Sequence, residues 1–264
     1  GANPIGETVQ DRLLVRFSSQ ENPFFWTPTA TNTAGSLRIG SGSEIVTAVK
    51  TRREMIVLTD SSVHSMQFIG PPFTFGINQL ASAITVRGFN SAVAVGDAVY
   101  WMGYDRFYIY DGRVQVIPCT VRDHVFQDFN ETQSDKVFAG VNSAFGEVFW
   151  FYPSNTNSAL NGGTDENDKY VVYNYDQKIW YVGNLARSAW IDRGVYQYPM
   201  ATDSNFVYSH EKGNDNDGTA FTSFIESSPI DIQDGDQFVF IRRMIPDVSF
   251  DNSDTGISND NKQA

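Results

Sequence analysis

Cysteine and histidine are nearly absent from this sequence, and their scarcity limits the chemistry open to it. Cys119 is the only cysteine in 264 residues, so no intramolecular disulfide can form and folding in a reducing compartment is favoured. The three histidines, His64, His124 and His210, show no zinc-type spacing with Cys119 or with one another. The sequence therefore predicts neither a metal site nor a bound cofactor.

Catalytic motifs are missing as well. His210 is followed by Glu211 but lacks the second histidine, four residues on, that a zinc hydrolase helix needs. Cys119 and His124 lie five residues apart without an orienting residue or an oxyanion loop, so Cys119 is expected to be a small buried thiol. No Gly-x-Ser-x-Gly elbow and no phosphate-binding glycine loop occurs. We predict that the chain is not an enzyme and has no catalytic residue.

Two clusters of acidic residues near the end of the sequence resemble calcium sites only superficially. The run Asn214–Gly218 resembles the start of an EF-hand loop, but its alignment places Gly213 and Phe224 where that loop needs carboxylates. Asp215 and Asp217 are therefore expected in an Asx-rich turn, with a looser calcium site as the alternative. A hairpin with an Asp-Gly turn is expected to hold the second cluster, Asp231, Asp234 and Asp236.

Basic residues are few, with 19 lysines and arginines against 31 acidic residues and a net charge of −12. Such a balance argues against a surface that grips nucleic acid, although it suits a passage through which DNA slides with weak adhesion. The two basic doublets, Arg52-Arg53 and Arg242-Arg243, are expected at solvated positions or in ion pairs, with contacts to a partner or to passing phosphates as the alternative. No apolar run reaches the length of a membrane span.

Short runs of β-branched and aromatic residues dominate what is present. Between Ser91 and Pro118 four such runs are separated by tight turns, two of which contain Gly96-Asp97 and Asp111-Gly112. Glycine and aspartate tolerate the positive φ that two-residue hairpin loops require. Aromatic residues make up 14% of the chain, which suits half-buried pleated surfaces. This pattern predicts an all-β fold with antiparallel meanders.

The strand-like runs recur at intervals that favour a repeated unit. Corresponding strands are predicted to begin near Met55, Val99, Glu147 and Phe206, which is roughly 44, 48 and 59 residues apart. Propeller repeats are about 40 to 50 residues long. We predict a β-propeller-like domain, with a β-sandwich or barrel as the alternative. One short helix is predicted near 121–129, where apolar residues recur four apart.

The remaining segments set the predicted domain organisation. Residues 1–10 are expected to be a linker, residues 11–250 the β domain as part of a longer chain, and residues 251–264 a flexible tail. Residues 18–42 are rich in Ser, Thr, Asn, Pro and Gly but contain Phe24, Phe25 and Trp26. We expect an ordered loop there that packs onto a neighbour, because these aromatic residues need burial. A polar insert at 154–168 is expected to be an exposed loop.

Six segments stand in an order that is more specific than any single motif. They are RFSSQENPFFWTPTATNTAGSLRIGSGSEIVTAV, IVLTDSSVHSMQFIGPPFTFG, YWMGYDRFYIYDGRVQVIPC, EVFWFYPS, YVVYNYDQKIWYVGNLARSAW and IESSPIDIQDGDQFVFIRRMIPDVSF. In this order they resemble a family of tailed-bacteriophage virion proteins. The family comprises the tail tubular or nozzle proteins of short-tailed phages and related head-to-tail stabilisation proteins. The resemblance covers the chain from about Asp11 to Phe250.

The resemblance implies a structural role in a virion. Family members are propeller-like subunits that form a ring, usually a hexamer, below the portal and adaptor, where they enclose the channel for genome retention and ejection. Implied partners are other copies of the chain, the portal or adaptor, tail fibre or tail-tip proteins, and double-stranded DNA that passes without sequence-specific binding. The implied location is the tail of the virion, after folding in the host bacterial cytoplasm.

Two other functions fit the same sequence. A carbohydrate-binding or carbohydrate-active propeller would use exposed tryptophans beside abundant carboxylates, and the candidates for sugar stacking are Trp101, Trp150, Trp180 and Trp190. A receptor-binding domain at a tail tip would share the predicted fold but would bind the surface of a host cell.

Overall fold

The structure is a computed structural model that describes residues 1–155, 164–203, 206–213, 215–216, 219–220, 240 and 242–243. The chain divides into two compact units, Gly1–His210 and Glu211–Ala264. In the described part of the second unit, strands β18 (Asp215–Asn216) and β19 (Thr219–Ala220) form an antiparallel pair. The β architecture described below belongs to the first unit.

Four consecutive antiparallel sheets and one short hairpin make up the first unit. The hairpin pairs β1 (Leu14–Phe17) with β2 (Gly35–Arg38). Sheets 1 to 3 are four-stranded meanders and sheet 4 has three strands. Their strands are, in sheet 1, β3 (Ile45–Lys50), β4 (Met55–Thr59), β5 (Ser62–Gly70) and β6 (Thr74–Ser82); in sheet 2, β7 (Ala92–Val95), β8 (Ala98–Met102), β9 (Phe107–Tyr110) and β10 (Val114–Ile117); in sheet 3, β11 (Phe138–Asn142), β12 (Glu147–Tyr152), β13 (Lys169–Asn174) and β14 (Ile179–Asn184); and in sheet 4, β15 (Ala189–Ile191), β16 (Met200–Asp203) and β17 (Phe206–Ser209).

The first strands of successive sheets lie side by side, as they do in a propeller. Strand β7 contacts β3 and β11, and β11 contacts β15. Just before the start of β7, Asn90 forms a parallel bridge with Phe138, and the Asn90 carbonyl accepts a hydrogen bond from the amide of Ala139 at 2.7 Å. First strands that adjoin along one inner edge, with each meander running outward from that edge, give a propeller-like array of blades.

Side-chain alternation along the second strand of each sheet builds the core between the sheets. In β8, Val99 and Trp101 belong to the apolar cluster shared with sheet 1, whereas Tyr100 and Met102 belong to the cluster shared with sheet 3. Neighbouring side chains of a strand point to opposite faces, so one short apolar run fills two interfaces. Because both faces are buried, the run reads as continuously apolar.

The two end sheets differ in how their outer faces are covered. On sheet 1, Val57 and Met66 face the β1–β2 hairpin and pack against Leu13 and Ile39. On sheet 4, the indole of Trp190 packs on Phe149 and Phe151 of sheet 3. Within the described part of the first unit no further sheet packs on the opposite face of sheet 4, which we call its outer face, and Ile191 and Val207 on that face are exposed.

The all-β prediction and the short helix are confirmed. Helix α1 spans Arg122–Gln127, and a 3-10 helix follows at Glu131–Lys136. Strands β2, β6 and β15 escaped prediction, since they hold Gly, Ser, Asn and Gln or are very short and depend on pairing with a neighbour. The sequence also predicts a strand from Val195 to Met200, and this prediction is wrong, because β16 begins only at Met200. Phe206 therefore opens the third strand of sheet 4 rather than the second.

Some predictions fall on residues that the structure does not describe. The sequence predicts two further strands, Phe221–Glu226 and Phe238–Met244, of which the first and most of the second lie outside the described residues, as do the turn with Asp231, Asp234 and Asp236 and the tail 251–264. Residues 1–10 precede the β1–β2 hairpin, to which they are tied by a hydrogen bond from the amide of Ala2 to the carbonyl of Leu14 at 3.0 Å.

Candidate interaction surfaces

His64 is part of a buried hydroxyl network in sheet 1. Its Nε2 lies 2.9 Å from the Ser62 hydroxyl and 3.2 Å from that of Ser41. The Ser62 hydroxyl also lies 2.7 Å from Oγ1 of Thr59, which accepts the Ser62 amide and so closes the β4–β5 turn. Burial lowers the pKa of His64. Since Ser62 and His64 are both buried, this serine–histidine pair stabilises a turn and offers no accessible nucleophile.

Cys119 and His124 do not form a nucleophile and base. The thiol of Cys119 is partly buried and packs against the core between sheets 2 and 3, whereas His124 is exposed on α1. Burial raises the pKa of Cys119 to about 11. The thiol is therefore protonated at neutral pH, and its role is that of a small apolar side chain.

His210 ends the first unit in contact with two other side chains. Its Nε2 accepts a hydrogen bond from Nε of Arg187 at 3.0 Å, and its ring lies 4.9 Å from that of Trp190. Burial, together with the positive charge of Arg187, lowers the pKa of His210 to about 4. Arg187 in turn lies over the ring of Tyr208 at 4.3 Å. The neutral imidazole thus acts as a hydrogen-bond acceptor that fixes a buried arginine.

The tryptophans expected to stack on sugars lie inside the array. Trp101 and Trp150 are completely buried, and Trp180 and Trp190 are partly buried between sheets. Each indole N–H donates to a backbone carbonyl, and the acceptors are those of Thr85, Ser91, Pro118 and Val141 respectively. These side chains hold successive sheets together, so the observation that suggested sugar stacking is explained by packing.

The doublet Arg52-Arg53 belongs to the first unit, whereas Arg242-Arg243 and the acidic turn belong to the second. Arg53 lies in the β3–β4 turn, where its Nε is 3.6 Å from a carboxylate oxygen of Asp97 in the β7–β8 turn. Arg242 and Arg243 are exposed. Asp215 lies in β18, and Asp217 is outside the described residues. In the described part of the chain, no group of three His, Cys, Asp or Glu side chains is placed to hold a metal ion.

Two long connections meet at one end of the array. The segment 118–137 joins sheets 2 and 3, and the segment 153–168 joins β12 to β13. The side-chain amide of Asn130 donates to the Thr164 carbonyl at 3.0 Å, and the side-chain amide of Asn167 donates to the Lys136 carbonyl at 2.8 Å. Their exposed carboxylates make this the acidic end, defined by Asp123, Glu131, Asp135, Asp165 and Glu166.

A buried arginine attaches the acidic end to sheet 2. Arg87 forms an ion pair with Glu131, and its Nη2 donates to the Tyr104 carbonyl at 2.8 Å. The guanidinium lies 4.1 Å from the ring centre of Phe129 and 4.8 Å from that of Tyr104. Its Nε has no hydrogen-bond partner among the described residues. The planar cation thus replaces its hydration with aromatic faces and one carboxylate.

A cluster of exposed apolar residues projects from sheet 1. Strands β5 and β6 are nine residues long, and their hairpin carries Phe68, Ile69 and Phe73 into solvent. Phe24, Phe25 and Trp26 are exposed in the adjacent loop, which internal hydrogen bonds hold in place. We call these six residues the aromatic surface. The loop was predicted to be ordered and packed, yet in this chain its aromatic side chains have no cover.

The base of the loop meets the tip of the hairpin. The Thr74 hydroxyl donates to the Thr33 carbonyl at 3.4 Å, and the rings of Phe17 and Phe75 are 4.9 Å apart. A cavity of about 320 Å³ separates them, lined by Phe68 and Phe75 on one side and by residues 17–20 and Thr33 on the other. The two segments therefore present the aromatic surface as one unit.

The aromatic surface is also nearly free of charge. Residues 61–86 contain no Asp, Glu, Lys or Arg, and Glu21 is the only charged residue between Phe17 and Leu37. In a chain with a net charge of −12, such a neutral stretch is unusual. Enrichment in aromatic residues and depletion of charge are typical of the centre of a protein–protein interface.

No family model matches the chain, and no curated protein matches it. Among solved structures it is similar to the extracellular domain of a putative one-component system from B. thetaiotaomicron, with 11% identity and a TM-score of 0.42. That match covers 74% of this chain and 24% of the other, so the chain spans about a quarter of its length. A likeness at this level carries no argument about fold or function. No helix in the described residues is long and apolar enough to cross a membrane.

Proposed function

We propose that the chain is a structural subunit of a bacteriophage tail, in a nozzle or connector ring below the portal and adaptor. The observation that carries this proposal is the uncovered aromatic surface on a rigid β scaffold. A surface of that composition on an acidic protein is expected to be buried in an assembly. The order of the six segments that resemble phage nozzle and head-to-tail stabilisation proteins supports the same function.

In this role the chain forms a ring of identical copies, a hexamer as in the family it resembles. It contacts the portal or adaptor on one side and tail fibre or tail-tip proteins on the other. The ring helps to retain the packaged genome until ejection, and the genome then passes through the ring. The net charge of −12 favours passage, because carboxylates repel the phosphates of DNA and weaken adhesion to the wall.

The test is the composition of purified phage particles from a culture that encodes the chain. Peptides of the chain, quantified by mass spectrometry against the major capsid protein, are expected at a fixed low copy number in every preparation. Gold-labelled antibodies are expected to mark the tail side of the portal vertex. A non-structural phage protein from the same lysate serves as the control and is lost on purification. Absence of the chain from intact particles overturns the proposal.

A further inference from the structure

The aromatic surface is large enough to support a stable protein contact. Phe24 is 86% exposed and Phe73 is 72% exposed, and the other four members are between about half and two thirds exposed. With about 200 Å² for each fully exposed side chain, the six together present about 760 Å² of apolar area. A standard interface buries about 800 Å² on each partner. These six side chains alone therefore account for most of one side of an interface.

A second apolar area lies on sheet 4, which comes last in the series of sheets that sheet 1 begins. Trp190 pairs with Ala201 on the face that packs on sheet 3, so Ile191, Met200 and Val207 lie on the opposite, outer face. Ile191 is 53% exposed and Val207 is 67% exposed. No strand residue on this outer face is charged. In each of the preceding sheets the corresponding face is packed against the next sheet.

We propose that the aromatic surface of one copy binds the outer face of sheet 4 of a second copy. The two surfaces are different and lie on the first and last sheets of the array, so the contact is head-to-tail and closes into a ring when the rotation allows. Charge favours the same pairing. Two chains with a net charge of −12 repel each other, and these two areas allow them to meet without bringing carboxylates together. The inference deepens the proposed function, on which it rests for the expectation that copies form a ring.

Two double variants of the full chain test the pairing, and each removes one surface. Phe68→Ser with Phe73→Ser weakens the aromatic surface, and Ile191→Ser with Val207→Ser weakens the outer face of sheet 4. In sedimentation and light-scattering measurements, the wild type is expected to form a ring or open oligomers, and each variant alone is expected to be monomeric. An equal mixture is expected to stop at heterodimers, because one intact contact remains between the two variants and cannot be repeated.

Phe145→Ser provides a matched control. Phe145 is a 53% exposed phenylalanine in the β11–β12 turn, outside both surfaces, and its replacement is expected to leave assembly unchanged. Circular dichroism and thermal unfolding check that all variants fold, since every replaced side chain is exposed.

Several outcomes overturn the pairing. A wild type that stays monomeric at all concentrations overturns the proposed contact. The proposed function is then decided separately, by whether purified phage particles contain the chain. Assembly that survives either double variant also overturns the contact, as does a mixture without heterodimers. Wild-type binding to phosphatidylcholine vesicles, lost on replacing Phe68 and Phe73 and accompanied by no self-association, would assign the aromatic surface to lipid instead.

Discussion

Replacement of Trp150 tests the stacking of sheets 2 and 3 directly. Trp150 is completely buried between these sheets. Its ring centre lies 4.8 Å from that of Phe107 on sheet 2, and its N–H donates to the carbonyl of Ser91 at 3.0 Å. Ser91 comes directly before β7, the innermost strand of sheet 2. The indole therefore supplies both packing and a hydrogen bond to the inner edge of the neighbouring sheet.

The two contributions can be separated with two variants. Trp150→Ala removes the whole ring, and buried Trp→Ala changes cost about 3–5 kcal/mol through lost burial and the cavity left behind. Trp150→Phe keeps most of the apolar ring but removes one of the two donors to the Ser91 carbonyl, which keeps its hydrogen bond from the Met102 amide, so the loss is about 0.5–1.5 kcal/mol. Trp26→Phe is the matched control: it removes an exposed hydrogen bond to the Pro23 carbonyl, which water can replace, and is expected to change stability by less than about 0.5 kcal/mol.

Urea unfolding followed by far-ultraviolet circular dichroism measures these differences. The alanine variant is expected to lose a large part of the stability of the domain, since total stabilities are about 5–15 kcal/mol. A loss below about 1 kcal/mol for Trp150→Ala would refute the packing of sheet 3 on sheet 2. A phenylalanine variant as stable as the Trp26→Phe control would refute the hydrogen bond to Ser91.

Three further predictions concern buried polar groups. The pKa of His210 is about 4 in the folded chain against an ordinary 6.5, so its contribution to stability is full above pH 6.5 and is lost as the pH falls toward 4. The midpoint of urea unfolding should therefore fall less between pH 6.5 and 4 in His210→Gln than in the wild type, and an equal fall would contradict this. The raised pKa of Cys119, about 11, predicts reaction with Ellman's reagent at pH 8 at least about tenfold slower in folded than in urea-unfolded chain, and equal rates would contradict it. Glu131→Gln leaves the buried cation of Arg87 without its carboxylate and should lower the free energy of unfolding by about 1–3 kcal/mol. Arg87→Met removes the buried charge itself and should lower it by less, and the reverse order in urea unfolding would refute this.

The turns and the repeated strands were predictable from local sequence. Gly96 and Gly112 adopt φ values of 63° and 109°, as the hairpin pattern between Ser91 and Pro118 predicts. The spacing of strands located sheets 1 to 3 because their second strands are runs of large apolar residues. Sheet 4 broke the pattern, since β15 has three residues and β16, Met200–Asp203, contains one large apolar side chain. Pairing with neighbours, rather than local propensity, defines these strands.

The partner of an aromatic side chain was not predictable. Trp101 and Trp150 are the same residue type as Trp26, yet the first two are buried between sheets and Trp26 is exposed. The alternation Val-x-Trp in β8 and β12 is a signal of burial, because both residues then point to one face. For Phe24, composition showed that cover was needed. It could not show whether that cover comes from the same chain or from another.

The carboxylates are unevenly distributed over the fold, and their positions determine which part of the array would repel DNA. The first strands, which form the inner edge of the array, contain one charged residue, Lys50, and no carboxylate. Exposed carboxylates lie instead in the connections of the acidic end and in turns, such as those of Asp97 and Asp111, whereas part of the aromatic surface projects from the β5–β6 turn. Since second and fourth strands both end where the connections lie, the β5–β6 turn belongs to the opposite end of the array. In the proposed ring, copies would thus meet through neutral surfaces, and repulsion of DNA phosphates would come from carboxylates in the connections and turns rather than from the first strands of the blades.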